Sequence, residues 1–335
     1  MKNILVTGGA GFVGSHIVRL LLERGDRVRV LARRPEQAQQ ALQGLAVEII
    51  TGDLRNPDSL RSAVAGCDEV YHCAADYRLW TRHPEELYES NVEGTRSLLG
   101  ACRDAGVAKV IYTSSVAAIG IPPGGVGDEE TPVSLEDMIG HYKRSKFLAQ
   151  EVALQFAREG YPVYIVNPST PIGPGDSKPT ATGKIILDFL RGKMPAYLDT
   201  GLNLVAVEDV ARGHLLAAEK GVPGRLYILG DEDLTLKQIL DKLAAFTGLA
   251  SPWVRLPYGF VYWLARVENF FTERLLGREP FIPLEGVKMA RKRMWFSPER
   301  ARRELGYTTS SATKALERAV MWFVDNGYCP GRRKR

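Results

Sequence analysis

Eight consecutive residues, Thr7-Gly8-Gly9-Ala10-Gly11-Phe12-Val13-Gly14, limit the folds open to this chain more than any other part of it. Ahead of them Asn3–Thr7 has the short aliphatic character of a strand. Behind them Phe12–Glu23 sets Val13, Ile17, Leu20 and Leu21 on one helical face. Glycines at such a junction allow a tight turn and a close approach of the backbone to a partner. The first turn of the helix adds free N–H groups and partial positive charge, which together make a seat for a pyrophosphate. Gly8, Gly11, Phe12 and Val13 are the expected contacts. The other reading is a glycine turn without a ligand, and the position between strand and helix weighs against it.

The alternation continues. Strands are expected at Arg27–Leu31, Val47–Ile50, Glu69–His72, Lys109–Thr113 and Val163–Val166, and helices at Asp58–Val64, Pro84–Ala105 and Ile139–Glu159. That order specifies an α/β fold, a doubly wound parallel sheet of Rossmann type with helices on both faces. Between Pro168 and Pro179 prolines and glycines crowd together and mark a change of lobe. The expected division is a dinucleotide-binding domain over 1–170, with 203–220 packing back onto it. A smaller C-terminal α+β substrate lobe takes 171–202 and 221–330, and 331–335 form a basic tail. Within that lobe Tyr258–Leu276 carries Phe260, Val261, Trp263, Leu264, Val267, Phe270, Phe271, Leu275 and Leu276. The stripe reads as core, or else as a pocket wall or membrane-facing edge suited to a polycyclic lipid.

Charge and cysteine content narrow the partners. The chain has a net charge of +5, yet Arg291–Arg335 alone holds twelve Lys/Arg against four Asp/Glu. The closing Arg332-Arg333-Lys334-Arg335 is a solvated tail or an attraction to anionic lipid headgroups, at about 1 kcal/mol per basic residue near the surface. Nucleic acid is not expected, because no aromatic-interleaved basic stripe accompanies the tail. No run of about 18 apolar residues lacks a charge, and the opening residues lack the apolar core of a secretory leader. Cys67, Cys73, Cys102 and Cys329 form no C-x-x-C pair, and the five histidines are scattered. Neither a disulfide framework nor a metal site is expected, and a reducing cytoplasmic setting is.

The second strand ends in Leu31-Ala32-Arg33-Arg34, without the carboxylate that would accept from a ribose 2′-hydroxyl. An arginine fork there grips a 2′-phosphate, so Arg33 points to NADP, with NAD the other possibility if both arginines are merely surface charges. After the third strand, Asp53 of Gly52-Asp53-Leu54 is placed to accept from an adenine amino group, or to cap the helix near Pro57. Small residues in His72-Cys73-Ala74-Ala75 would let the backbone approach a cofactor.

Tyr142 and Lys146 stand four apart, on one helix face. Thirteen tyrosines and fourteen lysines would give about 0.5 such pairs by chance, so position decides. The pair follows the fifth strand, which ends in Thr113-Ser114-Ser115. A phenol working near neutrality must be stabilised as phenolate by about 4 kcal/mol. An ammonium about 4.5 Å away at an effective dielectric of about 20 contributes on that order. Ser115 would hydrogen-bond the substrate oxygen. The bland alternative for Tyr142 is a half-buried packing residue.

Together T-G-G-A-G-F-V-G, the G-D-L after the third strand, T-S-S, Y-x-x-x-K and Asn167-Pro168 resemble the extended short-chain dehydrogenase/reductase family. The resemblance covers nearly the whole chain and implies Ser115, Tyr142 and Lys146 as a catalytic triad. Asn91 of Asn91-Val92-Glu93-Gly94-Thr95 would support it, unless it only bonds within or caps its own helix. Leu54, Ala74, Ala75, Pro168 and Thr170 join Gly8, Gly11, Phe12, Val13, Arg33, Asp53, Tyr142 and Lys146 as expected cofactor contacts. Tyr77 and Trp80 would lie near the nicotinamide end of the cleft, or pack the lobes together. A homodimer through Pro84–Ala105 and Ile139–Glu159 is implied as well.

Ala75-Asp76-Tyr77-Arg78-Leu79-Trp80, Met138–Lys146 and Gly192–Tyr197 look like hopanoid-associated sugar epimerases, a group placed between nucleotide-sugar epimerases and dihydroflavonol reductases. Nucleotide-sugar members commonly carry an Arg-Asp pair before an H-V-x-D stretch. Here Gly201–Asp209 lacks the pair, and Ala206 replaces the usual histidine. With Ala32-Arg33, this favours NADPH-dependent reduction of a hydrophobic carbonyl over a nucleotide-sugar epimerase or dehydratase with retained cofactor. A redox sensor binding NADP without chemistry is a further alternative, but sensors of that type tend to lose the Tyr–Lys pair.

Overall fold

The computed structural model describes residues 1–272 and 280–329. β1 (Asn3–Thr7), β2 (Arg27–Ala32), β3 (Val47–Thr51), β4 (Glu69–His72), β5 (Lys109–Thr113) and β6 (Val163–Pro168) lie side by side and parallel. The chain then leaves this sheet for β7 (Thr170–Ile172), β8 (Ala196–Leu198) and β9 (Gly201–Ala206), and β10 (Leu226–Leu229) returns to pair with β6. The seven strands run in the order β10-β6-β5-β4-β1-β2-β3. Connections turn opposite ways on the two sides of the β1–β4 pair. Such a switch opens a crevice at the C-terminal ends of the strands, and Thr7 sits there beside His72.

Helices cover both faces. α1 (Phe12–Glu23), α2 (Pro35–Ala41), α3 (Pro57–Val64), α4 (Glu85–Tyr88), α5 (Gly94–Asp104) and α6 (Gly140–Arg158) follow in order. α7 (Ala181–Leu190) belongs to the smaller lobe, and α8 (Val207–Lys220) comes back to the sheet. On one face Leu60, Leu98, Leu99, Cys102, Ala149 and Phe156 close over Val70 and Val110. On the other, Ile17, Val18 and Leu21 of α1 join Ala211 and Ala218 of α8 over Ile4, Val6 and Ile111. The bounds of β1, α1, β4 and β5 match those read from sequence.

Three local readings change. α2 goes unseen in the sequence because Ala38 is its single buried residue. Pro84–Ala105 is not one regular helix: a π-helical turn at Glu89–Glu93 separates α4 from α5. β10 is also sheet, although 221–330 was expected to be lobe throughout. Four residues are too few to show a period, and burial of Tyr227, Ile228 and Leu229 decides their place.

The smaller lobe contains α7, β11 (Glu232–Thr235), α9 (Leu236–Thr247), β12 (Val254–Leu256), α10 (Tyr258–Phe271), α11 (Leu284–Met289), α12 (Glu299–Leu305) and α13 (Ala312–Asp325). β11, β9 and β7 form a three-stranded sheet, and β12 pairs with β8. Ile186, Leu190, Leu204, Leu240, Leu243, Leu316 and Phe323 make the core of this lobe. α12 instead packs Ala301 and Leu305 against Val166 and Leu229 of the main sheet. α10 corrects the core reading of its stripe: it buries Val261, Ala265 and Asn269, while Phe260, Trp263, Leu264, Phe270 and Phe271 face outward. Leu275, Leu276 and the tail at 331–335 lie outside the described residues.

Candidate active site

The glycine turn is built for close approach. Gly8 has φ +68°, and a Cβ on it would stand 2.7 Å from the backbone nitrogen of Ala74. A Cβ on Gly14 would overlap the carbonyl oxygen of Gly8. Gly11 donates its N–H to that same oxygen at 2.9 Å and begins α1 with no side chain capping the first turn. Those N–H groups stay available, next to half-buried Phe12 and Val13. A cradle that a single methyl group would fill, under an uncapped helix start, fits a dinucleotide pyrophosphate.

At the end of β2, Arg33 is exposed, and its positive charge reaches both Asp53 and Asp76. Asp53 itself is engaged by Arg55, whose Nη2 and Nε donate to it at 2.7 and 3.1 Å. That guanidinium holds the carboxyl below its usual range. Asp53 is not the helix cap that was its alternative reading. Asn56 caps α3, accepting from the N–H groups of Asp58 and Ser59. Leu54 is buried against Gly94.

Between the turn and the end of β4 runs a buried polar chain that the sequence reading missed. Ala74 donates its N–H to Thr7 Oγ1 at 3.2 Å, Thr7 Oγ1 lies 2.8 Å from His72 Nδ1, and His72 Nε2 lies 3.0 Å from Thr95 Oγ1. Thr95 spends its own hydrogen on the carbonyl of Asn91. His72 therefore carries a proton on Nε2, and in its neutral form accepts from Thr7 at Nδ1. Burial, with the Lys146 charge nearby, pushes its pKa down to about 3. Unfolded, the imidazole titrates near 6.5, so between these values the unfolded chain binds more protons and stability rises with pH. Chemical denaturation at pH 5 against pH 7 should show a loss on the order of 2 kcal/mol from this residue. His72→Gln should reduce that dependence, leaving the part that buried His214 contributes in the same direction, and an unchanged slope in the variant would count against the assignment.

The catalytic candidates meet where β5 and β6 end. Ser115 caps a 3₁₀ turn at Val116–Ala118, its Oγ accepting from the N–H of Ala117 at 3.1 Å. Tyr142 stands in the first turn of α6, half-buried. Burial raises its pKa, and the nearby Ser115 hydroxyl works in the opposite direction. Lys146, one turn further, is 3% exposed, and its Nζ donates to the carbonyl of Thr113 at 2.9 Å and to Tyr112 Oη at 3.4 Å. Burial lowers its pKa to about 8, so it is charged at neutral pH. The fall expected for the phenol is not what the protein alone produces, because desolvation of Tyr142 exceeds the help it receives.

Asn91 is 2% exposed and does not spend its side chain on its own helix. Its Oδ1 accepts from the N–H of Asp76 at 2.7 Å, and its Nδ2 donates to the Asp76 carbonyl at 2.8 Å and to Ser145 Oγ at 3.0 Å. It ties the loop after β4 to α6, three residues beyond Tyr142. A second clamp, also missed, holds Ser115: Gln150 Oε1 accepts from Ser114 Oγ and from Asn167 Nδ2, each at 2.7 Å. Asn167 Nδ2 also donates to the Ser115 carbonyl at 3.0 Å. The neighbouring T-S-S and Asn-Pro motifs were the available signal.

The remaining positions frame the crevice. Ala74 and Ala75 are half-buried after β4; Pro168 is buried at the end of β6, and Thr170 opens β7. Tyr77, 49% exposed, donates its hydroxyl to the carbonyl of Lys178 at 3.4 Å, which links it to the segment after the lobe change. Trp80 is half-buried on the same loop. Gly140, at φ +79°, has the Glu285 carboxylate where a Cβ would point, so α11 abuts the start of α6. No group of His, Cys, Asp and Glu suited to a metal ion occurs among the described residues.

Residues 4–230 match the family model described as the NAD dependent epimerase/dehydratase family. The chain is 46% identical over 331 residues to a putative dihydroflavonol 4-reductase of Synechocystis, covering 96% of this chain and 95% of that one. It is 36% identical to sterol demethylase protein B of Methylococcus capsulatus, over 96% and 98% of the two chains. Among solved structures, that of gox2253 superposes with a TM-score of 0.87 at 45% identity, over 98% and 99% of the chains.

Proposed function

The chain belongs to the NAD dependent epimerase/dehydratase family, and from that premise we propose that it is an NADPH-preferring reductase of a hydrophobic carbonyl compound. The carrying observation is the Ser115–Tyr142 pair, with Lys146 anchored on Thr113, at the sheet ends beside the glycine cradle. A bound nicotinamide dinucleotide would supply the hydride. Gly8, Gly11 and the start of α1 would hold its pyrophosphate, and Lys146 would fix its nicotinamide ribose.

Everything else is done by side chains of this protein. Ser115 orients the substrate oxygen by a hydrogen bond. Tyr142 delivers a proton from its phenolic oxygen to that oxygen as the carbonyl becomes a carbinol. A phenol whose pKa lies above the ordinary value rests in its protonated form, which suits a proton donor and hence reduction. Charged Lys146 then favours the phenolate that remains.

Cofactor choice rests on Arg33. No carboxylate forms an ion pair with it among the described residues, and the β2 end offers no acid to repel a 2′-phosphate. The substrate class draws on the relatives, whose names refer to a dihydroflavonol and to a sterol, both built on fused rings. The resemblance to hopanoid-associated proteins points to the same kind of molecule. The family's own description favours one other reading, an epimerase or dehydratase that recycles a retained cofactor.

Denaturing the purified protein and chromatographing what is released separates the two. A reductase should come out empty and then bind NADPH at least about tenfold more tightly than NADH, through a bidentate arginine–phosphate contact. Arg33→Glu should reverse that ratio. Stoichiometric dinucleotide in the released fraction, or a ratio unmoved by Arg33→Glu, would overturn the proposal.

A further inference from the structure

α10 presents an apolar face that nothing in the described chain covers. Phe260, Trp263, Leu264, Phe270 and Phe271 follow one another at helical spacing on the side opposite buried Val261, Ala265 and Asn269. Phe260, Trp263, Phe270 and Phe271 are each more than half exposed. Trp253 ahead of the helix and Phe281 after it are more than four-fifths exposed. Among the described residues, the inner side rests on a small cluster that includes Val287, Leu198, Leu256 and Ile282. An aromatic surface of this kind exceeds what scattered surface residues supply and marks an interaction site.

The charges around it identify the partner. From Trp253 to Arg293 the described residues include six Lys/Arg and two Asp/Glu. Arg255 and Arg293 share Asp199, whereas Arg266, Lys288, Arg291 and Lys292 are exposed and form no ion pair among the described residues. Both acids are turned inward: Glu268 accepts from the N–H groups of Phe281 and Ile282, and Glu285 lies against Gly140. Two copies meeting through this face would set cations against cations, which disfavours self-association. An apolar aromatic stripe with unpaired cations beside it suits the boundary between acyl chains and anionic headgroups. No described helix is long and apolar enough to cross a membrane, so the helix would lie in the surface.

We infer that the outward face of α10, with Arg266, Lys288, Arg291 and Lys292 beside it, docks this protein on an anionic lipid bilayer. The inference is independent of the reaction proposed above. It is tested by sedimenting the full-length protein with phosphatidylcholine vesicles, with and without phosphatidylglycerol, and measuring tryptophan quenching by brominated lipid. Binding should require phosphatidylglycerol, weaken in high salt, and fall at least about tenfold in F260S/W263S. W263F, a gentler change, should bind vesicles as the parent does but lose much of the quenching. Failure of the parent to bind would overturn the inference. So would undiminished binding by F260S/W263S, which would place the contact elsewhere, such as the basic tail. So would self-association that protects Trp263 without any vesicle binding.

Discussion

Tyr142→Phe is expected to lower turnover about 10²–10⁴-fold while leaving dinucleotide affinity within a few-fold of the parent. The substitution removes one oxygen from a half-buried ring in the first turn of α6 and leaves the rest of the ring in place. What disappears is the O–H that faces Ser115, and with it the proton the substrate oxygen needs. Ser115 and Lys146 remain in place, because their anchors are backbone groups: the N–H of Ala117 and the carbonyl of Thr113. Steady-state kinetics with equilibrium dinucleotide titration separates this outcome from a folding defect. Turnover equal to the parent's would remove Tyr142 from the chemistry. In the parent, reduction should weaken as pH rises toward the raised pKa of the phenol, since the donor form is then lost.

The second large effect belongs to the glycine cradle. Gly14→Ala would drive a methyl group into the carbonyl oxygen of Gly8, a backbone atom that cannot swing away. Gly8→Ala meets the backbone of Cys73 and Ala74 and adds about 1–2 kcal/mol for a left-handed backbone with a side chain. Crowding of this kind costs about 1–3 kcal/mol of stability, and each change should weaken dinucleotide binding about 100-fold or more by closing the seat of the pyrophosphate. Gly25 serves as the control. It has φ +85° with open space where a Cβ would stand, so Gly25→Ala should carry the strain without the loss of binding. Equal losses of binding in all three would show that the effect is general destabilisation rather than a blocked seat.

What was legible in the sequence shares a property: the constraint lies within a few neighbouring residues. Gly8 to Gly14 state their turn locally, and Tyr142 and Lys146 state their common face by a spacing of four. Thr7, His72 and Thr95 do not, since their contact is made by the parallel pairing of β1 with β4 and the passage of the following helix. Gln150 and Asn167 are likewise joined only once α6 packs beside β6. α10 shows a different limit. Its period was evident, but a period says that one side is apolar and not whether another element will cover that side. The expected role of Lys146 in lowering the Tyr142 pKa met a third, because distance between charges can be guessed from a motif and desolvation cannot.

The π-helical turn at Glu89–Glu93 sets the angle between two stretches of helix. An α-helix advances by about 100° per residue, so the extra residue of the π turn rotates α4 by about that much relative to α5. Asn91 sits in the turn, held by Asp76 and Ser145, while α5 beyond it turns Leu98, Leu99 and Cys102 to the core. Deleting one residue from the turn would restore regular winding and carry α4 and the Asn91 clamp out of step with that core face.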